Sequence, residues 1–178
     1  ILYVSTDMVF DGDKNKPYTT TDTTNPISVY GKSKLMGENE IRKITNKHYI
    51  IRTSWLYGSG KKDYVDTMLT FSSLRDEISV VDDQVACPTW TRDLCNKIVE
   101  MVKGERDFGT YHICSSGQVN WSDFTRKILE YKKRNMRVTS IIESDFPRPA
   151  KRPKFSVLEN NNELPNWEKS LEEYLLTK

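Results

Sequence analysis

SVYGKSKLMGENEIRKITNKHYIIRT, residues 28–53, joins a helical pattern to a strand pattern and so decides the fold class. Tyr30, Leu35, Ile41 and Ile44 fit helical spacing with charged residues between them, which predicts a helix over Ser28–Thr45 with an inward apolar stripe. His48–Thr53 then reads as a buried strand, because Tyr49, Ile50 and Ile51 are consecutive apolar residues. Upstream, Ile1-Leu2-Tyr3-Val4 is a second apolar strand that ends at Ser5-Thr6-Asp7. Residues 11–27, rich in Gly, Asp, Asn, Thr and Pro, form the loop from that strand into the helix. Downstream, helical spacing returns over residues 63–75 through Met68, Leu69 and Phe71. Further strands are expected at Ile78–Val81 and Thr110–Cys114, and helices at Thr91–Val102, Ser122–Arg134 and Trp167–Leu176. Residues 145–154 hold three prolines and exclude both helix and central strand.

Alternating strands and helices predict an α/β fold with a mainly parallel sheet. Few strands of that sheet are encoded, and the glycine fingerprint G-x-G-x-x-G or G-x-x-G-x-x-G is absent from the sequence, so an incomplete Rossmann-like sheet is expected. The sequence opens inside an apolar strand without an initiator Met, which adds the expectation of a piece of a longer protein.

Composition narrows the function classes. With 27 basic and 25 acidic residues among 178, the formal charge is +2, which leaves no electrostatic footprint for nucleic acid or an anionic membrane. No apolar run approaches the roughly 20 residues that cross a bilayer. Cys87, Cys95 and Cys114 are odd in number and form no C-x-x-C pair, as expected of buried thiols in a reduced, cytoplasmic protein.

Tyr30-Gly31-Lys32-Ser33-Lys34 carries the chemistry. Residues four apart on a helix share a face, so the Lys34 ammonium can lie near the Tyr30 phenol. A phenol titrating near about 10 is a poor acid–base catalyst at neutral pH, and a nearby cation favours phenolate. The pattern alone is common by chance. Its context is not: Thr6 stands at a strand end 24 residues upstream, where doubly wound folds build their sites. Its hydroxyl can donate to a substrate oxygen or to the tyrosine.

Ser5-Thr6-Asp7-Met8-Val9-Phe10-Asp11-Gly12, Pro17-Tyr18, Asn25-Pro26, Val29-Tyr30-Gly31-Lys32-Ser33-Lys34 and Gly37-Glu38 together resemble the dTDP-4-dehydrorhamnose reductase family of extended short-chain dehydrogenases. The similarity continues through Arg52-Thr53-Ser54-Trp55-Leu56-Tyr57, Asp83-Gln84, Pro88-Thr89, Gly109-Thr110-Tyr111-His112 and Arg152-Pro153, in order and over nearly the whole chain. The resemblance implies reduction of a nucleotide-linked 4-keto-6-deoxy sugar with NADPH or NADH. Tyr30 would give a proton to the ketone oxygen, and Lys34 would support the tyrosine and hold the nicotinamide ribose. Thr6 would tune Tyr30 and touch the sugar, Asp7 and Trp55 would line the sugar pocket, and the Val4 backbone would face the cofactor. Residues 1–82 would form the Rossmann-like half and residues 83–178 mainly a smaller substrate-binding α/β lobe.

Gln84, Thr89 and Arg152 are candidates for the nucleotide or its phosphates, since arginine binds diphosphate in bidentate fashion. The family often has tyrosine in place of Met8, and some members place a metal-ligating glutamate where Arg92 stands, so no such metal is expected. A homodimer is compatible with the resemblance. Two other readings stay open: a sugar-nucleotide dehydratase or epimerase, disfavoured because Met8 is no acid, and a non-catalytic subunit like the regulatory subunit of methionine adenosyltransferase. His48 and His112 lack partners at ligand spacing and read as structural. Cys87 has no base placed near it by sequence, and Lys132-Lys133-Arg134 reads as a solvated helix end.

Overall fold

In a computed structural model, which describes residues 1–60 and 62–178, two short 3-10 turns, Asp7–Val9 and Glu143–Asp145, accompany sixteen α-helices and β-strands that follow one another among the described residues. They are β1 (Leu2–Thr6), α1 (Val29–Ile44), β2 (Tyr49–Thr53), β3 (Leu56–Tyr57), α2 (Tyr64–Ser72), β4 (Glu77–Val81), β5 (Val85–Ala86) and β6 (Thr89–Trp90). Then come α3 (Thr91–Lys103), β7 (Gly109–His112), β8 (Ser115–Ser116), β9 (Val119–Asn120), α4 (Trp121–Tyr131), β10 (Arg137–Ile141), β11 (Leu164–Asn166) and α5 (Trp167–Leu176). The α/β expectation holds, with small parallel sheets.

β2 is buried along its whole length because it is central: β1 and β7 flank it, both parallel, with Val4 opposite Ile51 and Ile51 opposite Tyr111. The sheets exchange strands across the expected division at residue 82. β7 joins β1 and β2 from beyond it, whereas β4, from before it, pairs with β10. An aromatic cluster of Tyr57, Trp90, Phe124, Trp167 and Tyr174 packs α4 and α5 together beside the main sheet. The two-residue strands escape periodicity, since two residues cannot show a period; they act as short clasps between loops.

The inward stripe expected on α1 is there only in part: Leu35 packs, partly buried, against the core and Ile41 is partly buried. Tyr30 and Ile44 are exposed, at 53% and 73%, and the buried positions are Gly31 and Glu38. Gly31 lets the helix lie against the loop after β1; a Cβ there would overlap the Met8 carbonyl oxygen and meet Pro26 Cβ at 2.9 Å. The burial of Glu38 is electrostatic. Its carboxylate accepts from Arg52 Nε at 3.0 Å and Nη2 at 2.7 Å, from Arg42 Nη2 at 2.9 Å, and from Ser5 Oγ. Arg42 also reaches Thr110 Oγ1 at 3.1 Å, so one charged cluster ties α1 to β1, β2 and β7. Burial alone would raise the Glu38 carboxyl, but the Arg52 bonds and charge, with Ser5 and Arg42, hold it below the usual range.

α1 begins at Ser28, whose Oγ accepts from Gly31 N at 3.0 Å, and Arg42 and Lys43 in its last turn suit the helix dipole. His48 and His112 are buried as expected of structural histidines, and burial with the Arg52 charge pushes His112 down to about 4. Cys87 and Cys114 are buried, but Cys95 is exposed, contrary to expectation, because its position on α3 faces away from buried Leu94 and Met101.

Candidate active site

Loops feed side chains into an open cavity of about 400 Å³ where β1 and β2 end. Val4, Thr6, Asp7, Tyr30, Lys34 and Trp55, six of the residues expected from sequence, line it together. β1 delivers Val4 and Thr6, α1 delivers Tyr30 and Lys34, and the turn after β2 delivers Ser54 and Trp55.

Asp7 forms the floor. Only 4% exposed, its carboxylate accepts from Thr6 Oγ1 at 3.1 Å, from Ser54 Oγ at 3.0 Å and from Ser156 Oγ. Burial pushes this carboxyl up, while the bonds from Ser156, Ser54 and Thr6 pull it back. Ser156 lies far along the chain, so Asp7 pins the C-terminal segment to the strand ends. The Thr6 proton is spent on Asp7, and its oxygen accepts from Met8 N at 3.3 Å. Thr6 therefore offers a remaining lone pair to a ligand, not the donated proton expected from sequence.

Tyr30 and Lys34 face the opening. Among the described residues the Tyr30 hydroxyl makes no hydrogen bond, and the Lys34 ammonium has no carboxylate partner. That ammonium lies over the Tyr3 ring, 4.3 Å from its centroid. Gly37 makes this possible, because a Cβ there would overlap the Tyr3 hydroxyl. A free phenol and an unpaired cation at a strand end suit a ligand with hydroxyl or carbonyl oxygens.

The other three candidates lie apart. Thr89 is fully buried, and its hydroxyl donates to the Cys87 carbonyl at 3.1 Å and accepts from Ser115 N at 3.2 Å, so it serves the fold. Gln84 is 3% exposed. Neither lines the Tyr30 cavity nor the two that adjoin Arg152. Arg152 and Arg148 border an apolar cavity of about 340 Å³, walled by Tyr64, Met68, Phe71, Ile78 and Trp121. The same two arginines border a second, more polar cleft with Lys151 and Lys154. Neither arginine has an ion-pair partner among the described residues.

Sequence reading missed Ser54, Ser156, Trp121 and Arg148. Arg148 sits in the same proline-rich run as Arg152 and carried the same signal. Ser54 enters beside Trp55 in the same turn, but its bond to Asp7, like the places of Ser156 and Trp121, comes only from tertiary packing.

A parallel sheet with a tyrosine and a lysine, one helical turn apart on α1, at an open cavity by its strand ends is the arrangement that the resemblance to the extended short-chain dehydrogenases implies. Residues 1–177 match the model of the RmlD substrate binding domain. The chain is 36% identical over 180 residues to the spore coat polysaccharide biosynthesis protein SpsK of Bacillus subtilis, covering 98% of this chain and 63% of that protein. It is 36% identical over 187 residues to dTDP-4-dehydrorhamnose reductase of Sinorhizobium fredii, covering 96% of this chain and 63% of the relative. Among solved structures, a dTDP-4-dehydrorhamnose reductase from Clostridium acetobutylicum superposes with a TM-score of 0.94 at 41% identity, over 99% of this chain and 66% of that one. The Bacillus anthracis reductase, solved in complex with NADP, gives 0.95 at 36% identity, over 99% and 65%. The chain belongs to the RmlD substrate-binding-domain family. It spans a little under two thirds of the length of these relatives.

Proposed function

We propose that the protein reduces the C4 ketone of a nucleotide-linked 4-keto-6-deoxy sugar, dTDP-4-dehydrorhamnose to dTDP-L-rhamnose, with NADPH as reductant. The observation that carries this reading is the meeting of a free Tyr30 hydroxyl, an unpaired Lys34 ammonium, Thr6 and the Trp55 ring in one cavity. The names of its relatives favour it, as does the NADP in the Bacillus anthracis reductase.

The residues present suit the nicotinamide-ribose end of the cofactor: the Val4 backbone on the cavity wall, the Lys34 ammonium and the Tyr30 hydroxyl. When bound, NADPH supplies the hydride. Tyr30 protonates the ketone oxygen as negative charge grows there, and the Lys34 cation stabilises the phenolate left behind. Thr6 accepts from a sugar hydroxyl with its free lone pair, while Asp7 fixes that orientation from below. Trp55 walls the sugar. Arg148 and Arg152 hold the diphosphate, and the apolar cavity beside them takes the base, with Tyr64 and Phe71 as its aromatic surfaces.

Among the described residues no helix is long and apolar enough to cross a membrane. A cytoplasmic setting, favoured by three free cysteines, and a homodimer belong to the same proposal.

The test is NADPH consumption by the complete protein with dTDP-4-dehydrorhamnose. Turnover to dTDP-rhamnose is expected. Absence of turnover at saturating substrate, or loss of water from dTDP-glucose instead, refutes the reading; the first result, with a copurifying partner enzyme, favours a non-catalytic subunit.

A further inference from the structure

Trp55 stands in a backbone conformation that tryptophan rarely adopts, with φ at 42°. A non-glycine residue in the left-handed region is strained and persists only where its surroundings over-determine it. Two contacts do so here. The Trp55 carbonyl accepts from Thr89 N at 3.2 Å, and its indole lies flat on Trp121, with ring centroids 3.5 Å apart and planes 11° from parallel.

Trp121 is firmly seated in turn. It is the first residue of α4, whose cap, Asn120 Oδ1, accepts from Asp123 N at 2.7 Å. Its ring packs on Tyr64 at 4.4 Å, and the Tyr64 hydroxyl is hydrogen-bonded to Thr125 Oγ1 at 2.6 Å. Trp55 lines the cavity of Tyr30 and Lys34, while Trp121 lines the apolar cavity beside Arg148 and Arg152. The stacked indoles thus link the wall of one cavity to the wall of the other.

We propose that Trp121 is a positioning residue that holds the Trp55 ring as the sugar-facing wall, so that the stack sets how far a nucleotide-linked sugar advances toward Tyr30. This rests on the nucleotide-sugar reading above. Trp121 touches the sugar only through Trp55. Its loss frees Trp55 to leave a strained backbone state, and the sugar is then held loosely while the cofactor end is untouched.

The test compares Trp121→Ala and Trp121→Phe with the unaltered complete protein, by circular dichroism of the coupled indoles and by steady-state kinetics. Trp121→Ala is expected to abolish the exciton couplet and to raise KM for dTDP-4-dehydrorhamnose about tenfold, the scale of one aromatic stacking contact. Inhibition by dTDP, which carries base and diphosphate but no sugar, stays unchanged; an equal weakening of dTDP overturns the proposal. KM for NADPH and the pH profile stay in place. Trp121→Phe, which keeps a ring to stack on, recovers most of the sugar KM. An unchanged sugar KM in an active Trp121→Ala enzyme overturns the proposal and leaves the reductase reading standing. So does an equal rise in both KM values, which marks general damage. An unaltered protein that binds and reduces no nucleotide-linked keto sugar overturns the reductase reading, and the role of Trp121 falls with it even though the couplet responds as expected.

Discussion

Tyr30→Phe in the complete protein is expected to lower kcat for sugar reduction by about 10²- to 10⁴-fold, the usual contribution of a positioned general acid. Only the hydroxyl is removed. Because the Tyr30 ring is 53% exposed and its oxygen bonds to nothing among the described residues, fold stability should stay within about 0.5 kcal/mol of the parent. The KM for the sugar nucleotide should move little, since its diphosphate and base are assigned to Arg148, Arg152 and the cavity beside Trp121. A fall in kcat with unchanged KM and an unchanged urea midpoint is the signature. A Tyr30→Phe enzyme as fast as the parent would remove Tyr30 from the chemistry.

The second large effect concerns stability. Glu38→Ala leaves Arg52, 3% exposed, as a buried cation without its carboxylate. Removing one partner of a buried pair costs about 3–5 kcal/mol, a large share of the stability of an ordinary domain. Urea unfolding should show this as a lowered midpoint. Glu38→Ala combined with Arg52→Leu should be milder than Glu38→Ala alone, because no uncompensated charge then remains.

The same cluster sets a pH dependence. The folded state holds the Glu38 carboxyl below its ordinary range, so its contribution is complete above the unfolded value, about 4.3, and is lost as pH falls through the folded value. Asp7 acts in the opposite sense. Burial raises its carboxyl, so it favours the folded state more as acid protonates it. Asp11, Asp22 and Glu163 are also held below the usual carboxyl range by their hydrogen-bond partners. Glu38 should therefore carry part of the acid unfolding of the parent, and the slope should flatten in part in the Glu38→Ala variant.

Glu38 also shows where sequence reading ran out. The strand, loop and helix order was legible because β2 is fully buried and apolar, and the loop before α1 is dense in turn-forming residues. The inner face of α1 was legible only in part. Periodicity counts apolar residues, but beside Leu35 this face is closed by a glycine, which has no hydropathy to count, and by a glutamate whose partners lie on two strands and on α1 itself. The same limit explains the exposed Tyr30. An exposed side chain on a core-like register reads as core until its strand-end neighbours are known.

Of the site, Val4, Thr6, Asp7, Tyr30, Lys34 and Trp55 were legible because they fall in two short motifs and a strand end. Ser54, Ser156 and Trp121 were not. Ser156 matters through its bond to Asp7, 149 positions away along the chain, and Trp121 through a ring stacked on it from another loop. Thr89 shows the converse: a hydroxyl in a motif that the fold consumes internally.

Reduction at C4 with Tyr30 as acid leaves an isotopic signature. Its most direct measurement follows label from NADPH deuterated at the transferable position into dTDP-4-dehydrorhamnose, using the complete protein and locating deuterium in the product by NMR. One deuterium at C4 of the sugar, formed at a rate that collapses in Tyr30→Phe, is the predicted result. Product without deuterium, deuterium at any other carbon, or incorporation at the parent rate in Tyr30→Phe would contradict it.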